Sequence, residues 1–142
     1  MENGTIQDNR ITASNIRSCC PASQARLNNY IGWQAYYFTN AWIEVNLDEP
    51  TVVSGVITQG HPSHDYYVKK YKVSYKKQSS SDYEHVTDGN GNNKVFIGNT
   101  DGDTPVTNLF DESVVATVVR IEPTGWYGYV ALRLELLGCR RD

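Results

Sequence analysis

Cysteine, methionine and proline are all scarce in this sequence: of 142 residues, three are Cys, one is Met and five are Pro. So few cysteines exclude a small scaffold stapled by dense disulfides. A chain of this length buries a core of its own, and residues 1–142 read as one domain. Long apolar runs are also missing, and nothing approaches the roughly 18 residues of a membrane-spanning helix. An excess of positive charge is absent too. Thirteen Lys+Arg stand against 16 Asp+Glu, for a net charge of −3, which excludes the broadly basic surface of a nucleic-acid binder. With 20% charged and 39% apolar residues, wholesale disorder is excluded as well. The opening Met1-Glu2-Asn3-Gly4 is polar and lacks the apolar stretch of a secretory signal. The chain is therefore either cytosolic or one domain of a longer secreted protein. Asn3-Gly4-Thr5 is a glycosylation sequon, a triplet that often arises by chance.

Helical periodicity is lacking, and a period of two takes its place. In the segment 41–47, Ala41, Ile43, Val45 and Leu47 share one face, with Glu44 and Asn46 on the other. Asp48-Glu49-Pro50 interrupts, and a β-branched strand resumes over 51–58. Over 67–75, Tyr71, Val73 and Tyr75 alternate with Lys70, Lys72 and Ser74. Short or β-rich strands follow at 94–97 and 114–122, and 130–137 puts Val130, Leu132, Leu134 and Leu136 on one face. Turn clusters such as Asp88-Gly89-Asn90-Gly91 separate them. The expectation is one all-β, mainly antiparallel domain.

The aromatics are the unusual abundance, with ten Tyr and three Trp. Three loops are too rich in them, or in polar chemistry, to be plain connectors. The first, 15–24, holds Arg17 and Cys19-Cys20-Pro21. The second, 32–40, holds Trp33, Tyr36, Tyr37 and Phe38. The third, 60–67, holds His61, His64, Tyr66 and Tyr67. Amphipathic rings of this kind stack on sugar faces or sit at lipid headgroups. Trp126 and Tyr127 are candidates in a further loop. His61-Pro62-Ser63-His64 has two histidines at a metal-like spacing, but no carboxylate or cysteine cluster completes a zinc set, so no metal is expected. The pair is better suited to pH-dependent binding. Lys69, Lys70, Lys72, Lys76 and Lys77 read as a solvated strand face. No nucleophile–base pair or phosphate loop appears, so an enzyme is not expected.

Several segments resemble a known family: Met1-Glu2-Asn3-Gly4 with Ile11-Thr12-Ala13-Ser14, then Trp42-Ile43-Glu44-Val45-Asn46-Leu47, Tyr71-Lys72-Val73-Ser74-Tyr75, Val119-Arg120-Ile121-Glu122-Pro123, and Leu132 through Gly138-Cys139. In this order, over nearly the whole chain, they look like the discoidin domain, also called the coagulation factor V/VIII C-type domain. The motifs are most similar to its lactadherin-like and neuropilin-like members. The resemblance implies a jelly-roll-like antiparallel β-barrel or sandwich with ligand loops, or spikes, at one end. It also implies a non-catalytic extracellular adhesion module without a cofactor, secreted or part of a membrane-anchored ectodomain. Family members bind phosphatidylserine membranes, collagen, carboxyl-terminal peptides or sugars, and the fold alone does not choose among these.

By the same resemblance, Cys139 pairs with a cysteine upstream of the Met-Glu-Asn-Gly segment, which would precede Met1. Cys19 and Cys20 fall on the first spike, at the end opposite the termini, too far from Cys139 for a bridge. A vicinal Cys19–Cys20 disulfide is the local option; two reduced thiols, or a bond to another chain, are the alternatives. Arg133 and Glu135 match the family's terminal strand and read as structural, open to an internal charge pair. The expected ligand is a cell-surface or matrix glycan or protein, met by Arg17, Cys19, Cys20, Trp33, Tyr36, Tyr37, Phe38, His61, His64, Tyr66, Trp126 and Tyr127. The alternative is an anionic phospholipid membrane met by the same spikes. It is weakened because the first spike offers little bulky apolar area beyond Ile16 and Pro21.

Overall fold

The computed structural model describes residues 6–78 and 80–140, the last two by their backbone only. The opening motif with its sequon, and the side chain of Cys139, lie outside the described residues. The elements are β1 (Ile11–Ala13), β2 (Trp33–Gln34), β3 (Ile43–Gln59), β4 (Tyr67–Lys76), β5 (Glu84–His85), β6 (Phe96–Ile97), β7 (Val106–Tyr127) and β8 (Ala131–Arg140), with two single-turn 3-10 helices. Among the described residues, no helix is long and apolar enough to cross a membrane. The strand order is β2-β8-β3-β7-β4-β5, with β1 added to β3 and β6 to β4, and every strand pairing is antiparallel.

Two long strands make this one sheet into a sandwich. The first half of β3 pairs β1 and residues 118–121 of β7, while its second half pairs β8 and residues 106–116 of β7. The register shifts between Asn46 and Thr51 and again between Val53 and Gly55. Asp48 sits at the first break with φ 71°, the left-handed conformation that Asp tolerates better than most residues. Breaks of this kind bend a strand and increase its twist, so β3 and β7 each serve both layers. The core lies between the layers. Ala41, Ile43, Val45 and Leu47 are all buried there, as their alternation predicts, together with Tyr71, Val73, Phe96, Ile121, Leu132 and Leu134.

Two sequence expectations need correction. Strand β7 begins at Val106 rather than at 114 and continues through the exposed Asp111-Glu112-Ser113, where its register against β3 breaks. Ser74, grouped with the outward lysines, is only 1% exposed. It does point outward, but it is opposite both Arg120 and His85, and that outer face is covered by side chains rather than by water.

Candidate functional site

The end of β3, the start of β4, the end of β7 and the start of β8 all lie at one end of the sandwich, so the loops at 14–42, 60–66, 98–105 and 128–130 cluster there. The vicinal disulfide between Cys19 and Cys20 is formed and sits in the first of these loops. Around it, the turn Arg17-Ser18-Cys19-Cys20 closes by the Cys20 N–H donating to the Arg17 carbonyl at 2.9 Å. Arg17 N–H and the Cys20 carbonyl then pair with the backbone of Gln34 at 2.8 and 3.1 Å, which clips the turn to β2. Cys20 is buried and Cys19 exposed. Cys139 is in register with Val52, at the opposite end.

Asn15 organises the aromatic segment that follows. Its side-chain oxygen accepts from the backbone N–H groups of Tyr36 (2.6 Å) and Tyr37 (2.8 Å), and its carbonyl accepts from the Trp33 indole at 3.0 Å. Trp33 is therefore a buried prop and not a contact surface, with 0% exposure. Tyr36 and Tyr37 stand free at 64% and 69% exposure, edge to face with centroids 4.9 Å apart.

The 60–66 loop is closed by the His61 N–H donating to the Tyr66 carbonyl at 2.8 Å. Inside it, His61 Nδ1 accepts from the Ser63 N–H at 3.0 Å, so the neutral ring carries its proton on Nε2. The His64 and Tyr66 rings stack at 5.1 Å, and His61 and His64 are also 5.1 Å apart. Tyr66 meets Tyr129 edge-on at 4.7 Å, and the Arg17 guanidinium lies 4.5 Å from the centre of the Tyr129 ring. Two glycines permit this packing. A Cβ on Gly102 would fall 2.2 Å from the His61 carbonyl oxygen, and one on Gly128 (φ +69°) would fall 2.4 Å from the Tyr66 ring.

Arg133 ties the loops together from below. Its guanidinium donates to the carbonyls of Gly60 (2.9 Å), Asn29 (2.8 Å) and Gly102 (3.0 Å), and it pairs with the Asp103 carboxylate at 3.3 Å. Its ionic partner is thus Asp103, and not the Glu135 that the family resemblance left open. The product is a groove of about 530 Å³ bordered by Arg17, the Cys19–Cys20 bridge, Tyr30, Ile31, Gln34, His61, Ser63, His64, Tyr66 and Tyr129. Burial, then the neighbouring His64, then Arg133 hold the His61 imidazole below its ordinary pKa. Among the described residues, no cluster of three His, Cys, Asp or Glu is placed to hold a metal ion.

The groove gathers six of the expected site residues: Arg17, Cys19, Cys20, His61, His64 and Tyr66. The others lie elsewhere. Phe38 packs edge-on against Trp126 (5.8 Å) and Tyr129 (5.6 Å) at the core margin, so Phe38 and Trp126 support the loops from inside. Tyr127 stacks on Tyr67 at 5.4 Å, on the side of β4 and β7 facing away from the buried Val68. Sequence reading missed Tyr30, Ile31, Gln34, Ser63 and Tyr129. Tyr30 is 90% exposed and stands just outside the aromatic segment that drew attention. Tyr129 follows the Trp126-Tyr127 pair by two residues. The surplus of tyrosines was the only signal for either.

Comparison with known proteins bears on what such a groove belongs to. The model of the F5/8 type C domain family matches residues 10–136. Retinoschisin of Mus musculus is 34% identical over 97% of this chain, which spans 66% of that protein. Retinoschisin of Takifugu rubripes is 38% identical over 97% of the chain, which spans 53% of it. The chain therefore covers between about half and two thirds of these relatives. Among solved structures, wild-type discoidin II from Dictyostelium discoideum superimposes with a TM-score of 0.82 at 19% identity, over 93% of this chain and 55% of that one. The family 32 carbohydrate-binding module of C. perfringens NanJ, solved in complex with galactose, gives 0.69 at 19% identity, over 92% of this chain and 96% of that one. At these identities the likeness extends to the fold.

Proposed function

The chain belongs to the F5/8 type C, or discoidin, family, and on that premise we propose that it is a non-catalytic, extracellular binding module that takes a sugar in its loop-end groove. One observation carries this reading: the rings of Tyr30, Tyr66 and Tyr129 line the same groove as the hydrogen-bonding side chains of Arg17, Gln34, Ser63 and His64. A pyranose presents an apolar C–H face and a rim of hydroxyls, and a groove mixing ring faces with donors and acceptors matches both. The site is also prebuilt, since Arg133 and the turn clipped to β2 fix its walls before any ligand arrives. Preorganisation of this kind lowers the entropy cost of binding. The natural setting is a larger secreted or membrane-anchored protein that uses this domain to hold a cell-surface or matrix glycan.

A second reading rests on exposed apolar side chains at the same end. Ile16, Tyr30 and Ile31 are 45%, 90% and 37% exposed, and such tips enter an anionic lipid surface where buried apolar area suffices. A glycan array run beside flotation with vesicles of graded phosphatidylserine content separates the two. Binding to glycans that Tyr66→Ala abolishes supports the sugar site. Binding to anionic vesicles alone, unaffected by Tyr66→Ala, replaces it with the membrane reading.

A further inference from the structure

The charge of the groove runs against the charge of the chain. Acidic residues outnumber basic ones overall, yet among the described residues no carboxylate lines the groove, whereas Arg17, His61 and His64 all do. The acids nearby are set aside. Asp65, Asp101 and Asp103 border a separate hollow of about 370 Å³ on the other flank of the 61–64 loop. Asp101 is occupied there by the backbone N–H groups of Asp103 and Thr104 and by the Thr104 hydroxyl. Asp103 pairs with Arg133.

The basic groups are arranged to receive an anion. The Arg17 guanidinium is held over the Tyr129 ring, and Gln34 Oε1, at 3.2 Å, is the one side-chain acceptor among the described residues that engages its five donors. A planar fork with free donors is suited to bidentate contact with a carboxylate. His61 faces His64 and Tyr66 on its own loop, Arg133 of β8 beneath it, Arg17 of the first spike in the same groove, and Asp101 and Asp103 on the outer flank. An anion in the groove offsets the repulsion that His64 and Arg133 exert on a charged His61.

Resting on the sugar-binding reading above, we infer that the groove selects a sugar bearing a carboxylate, a uronic-acid type of residue, and takes up a proton when it binds one. Arg17 grips the carboxylate, the tyrosine rings take the apolar face of the pyranose, and His61 accepts the added proton from the medium. The ligand therefore binds more tightly as the medium is acidified through the histidine range.

The test uses matched pairs of methyl glycosides that differ only at C6: glucoside against glucuronide, and galactoside against galacturonide. Calorimetry is run at about pH 7.5 and about pH 5.5, spanning the histidine range, in two buffers of different ionisation enthalpy. The expected result is a preference of about tenfold or more for the acid of at least one pair, the size of one charge-assisted hydrogen bond. Tighter binding and net proton uptake are expected at the lower pH. Arg17→Gln costs the acid of the pair far more affinity than its neutral partner, and so erases the preference. His64→Gln, at an exposed position, removes the repulsion on His61, so that binding adds less proton to His61, and it keeps the test alive if the Arg17 variant misfolds. Equal affinity within both pairs, or tighter binding of the neutral sugars, overturns the inference while sparing the sugar site. Failure of all four glycosides to bind overturns both together.

Discussion

Arg133 and Arg120 are both largely withdrawn from water, and they do opposite work. Arg133, at the loop end, spends its donors on the carbonyls of Asn29, Gly60 and Gly102 and meets one carboxylate, Asp103. Arg120, on the outer face of the sheet, is sandwiched between the rings of Trp42 (3.9 Å) and Tyr83 (4.0 Å) and donates to the Glu44 carboxylate at 3.0 Å and the Tyr83 hydroxyl at 2.7 Å. The Tyr83 hydroxyl in turn donates to Glu44. The difference follows from what the backbone has already satisfied. Within the sheet the ladder serves most carbonyls, so Arg120 turns to side chains. Irregular loops have no ladder, and their buried carbonyls need a donor from elsewhere. Arg133 is that donor for three loops at once, which makes the groove depend on one side chain as the sheet does not.

The sharpest way to break this contrast is Arg133→Met. It leaves three carbonyls without their donor, each costing roughly 1–3 kcal/mol if it stays dry. A loss of about 3 kcal/mol or more is expected, seen as a fall of about 10 °C in Tm, together with loss of ligand binding. Arg133→Lys is expected to rescue little, because a point charge cannot reach three directions in one plane. Rescue by lysine to wild-type stability and binding would contradict the role given to the fork. Arg120→Met is expected to cost less, about 2 kcal/mol, from its charged hydrogen bonds and ring contacts, and to leave ligand affinity unchanged. Equal loss of binding in both variants would erase the distinction between the two regions.

Gly128→Ala comes next and tests the groove alone. Its φ of +69° and the 2.4 Å approach to the Tyr66 ring make a side chain costly there, by about 1–2 kcal/mol. The ring of Tyr66 must shift, so affinity is expected to fall further than stability does. Unchanged affinity, measured on folded protein, would remove Tyr66 from the binding surface.

These same contrasts explain what could be read from the sequence and what could not. The face made by Ala41, Ile43, Val45 and Leu47 was legible because a strand's alternation is local, and all four are buried. The richness of the first and third loops was legible too, and it put six residues in the groove. Rank within the aromatic cluster was not. Trp33 and Tyr36 are three positions apart, yet one is wholly buried and the other mostly exposed, since Asn15 determines which ring faces inward and Asn15 acts through contacts 18 to 22 residues away in the chain. Arg133 could be recognised as structural, but its partners lie 30 to 104 positions distant, and no spacing rule reaches that far. Tyr129 was missed for the same reason, as its partners Arg17 and Tyr66 come from other loops.

The smallest expected effect concerns acid, and it again distinguishes the two regions. His61 has a pKa lowered in the folded protein by burial, His64 and Arg133. Between that depressed value and the ordinary 6.5, the unfolded chain holds more protons than the folded one, so stability falls as pH drops through this window and is fully retained above it. Protonation also ends the ability of Nδ1 to accept from the Ser63 N–H, so the loss is local to the 60–66 loop. Followed by NMR, the Ser63 and Tyr66 amide signals are expected to move in this window while those of β3 and β7 stay fixed. His61→Gln is expected to flatten the acid limb of the Tm profile. An acid limb of the same depth in wild type and variant would locate the proton-sensitive group elsewhere. If carboxylated sugar is present, the sign reverses for the complex: the bound anion favours the charged imidazole, and acid then tightens the loop end that it otherwise loosens.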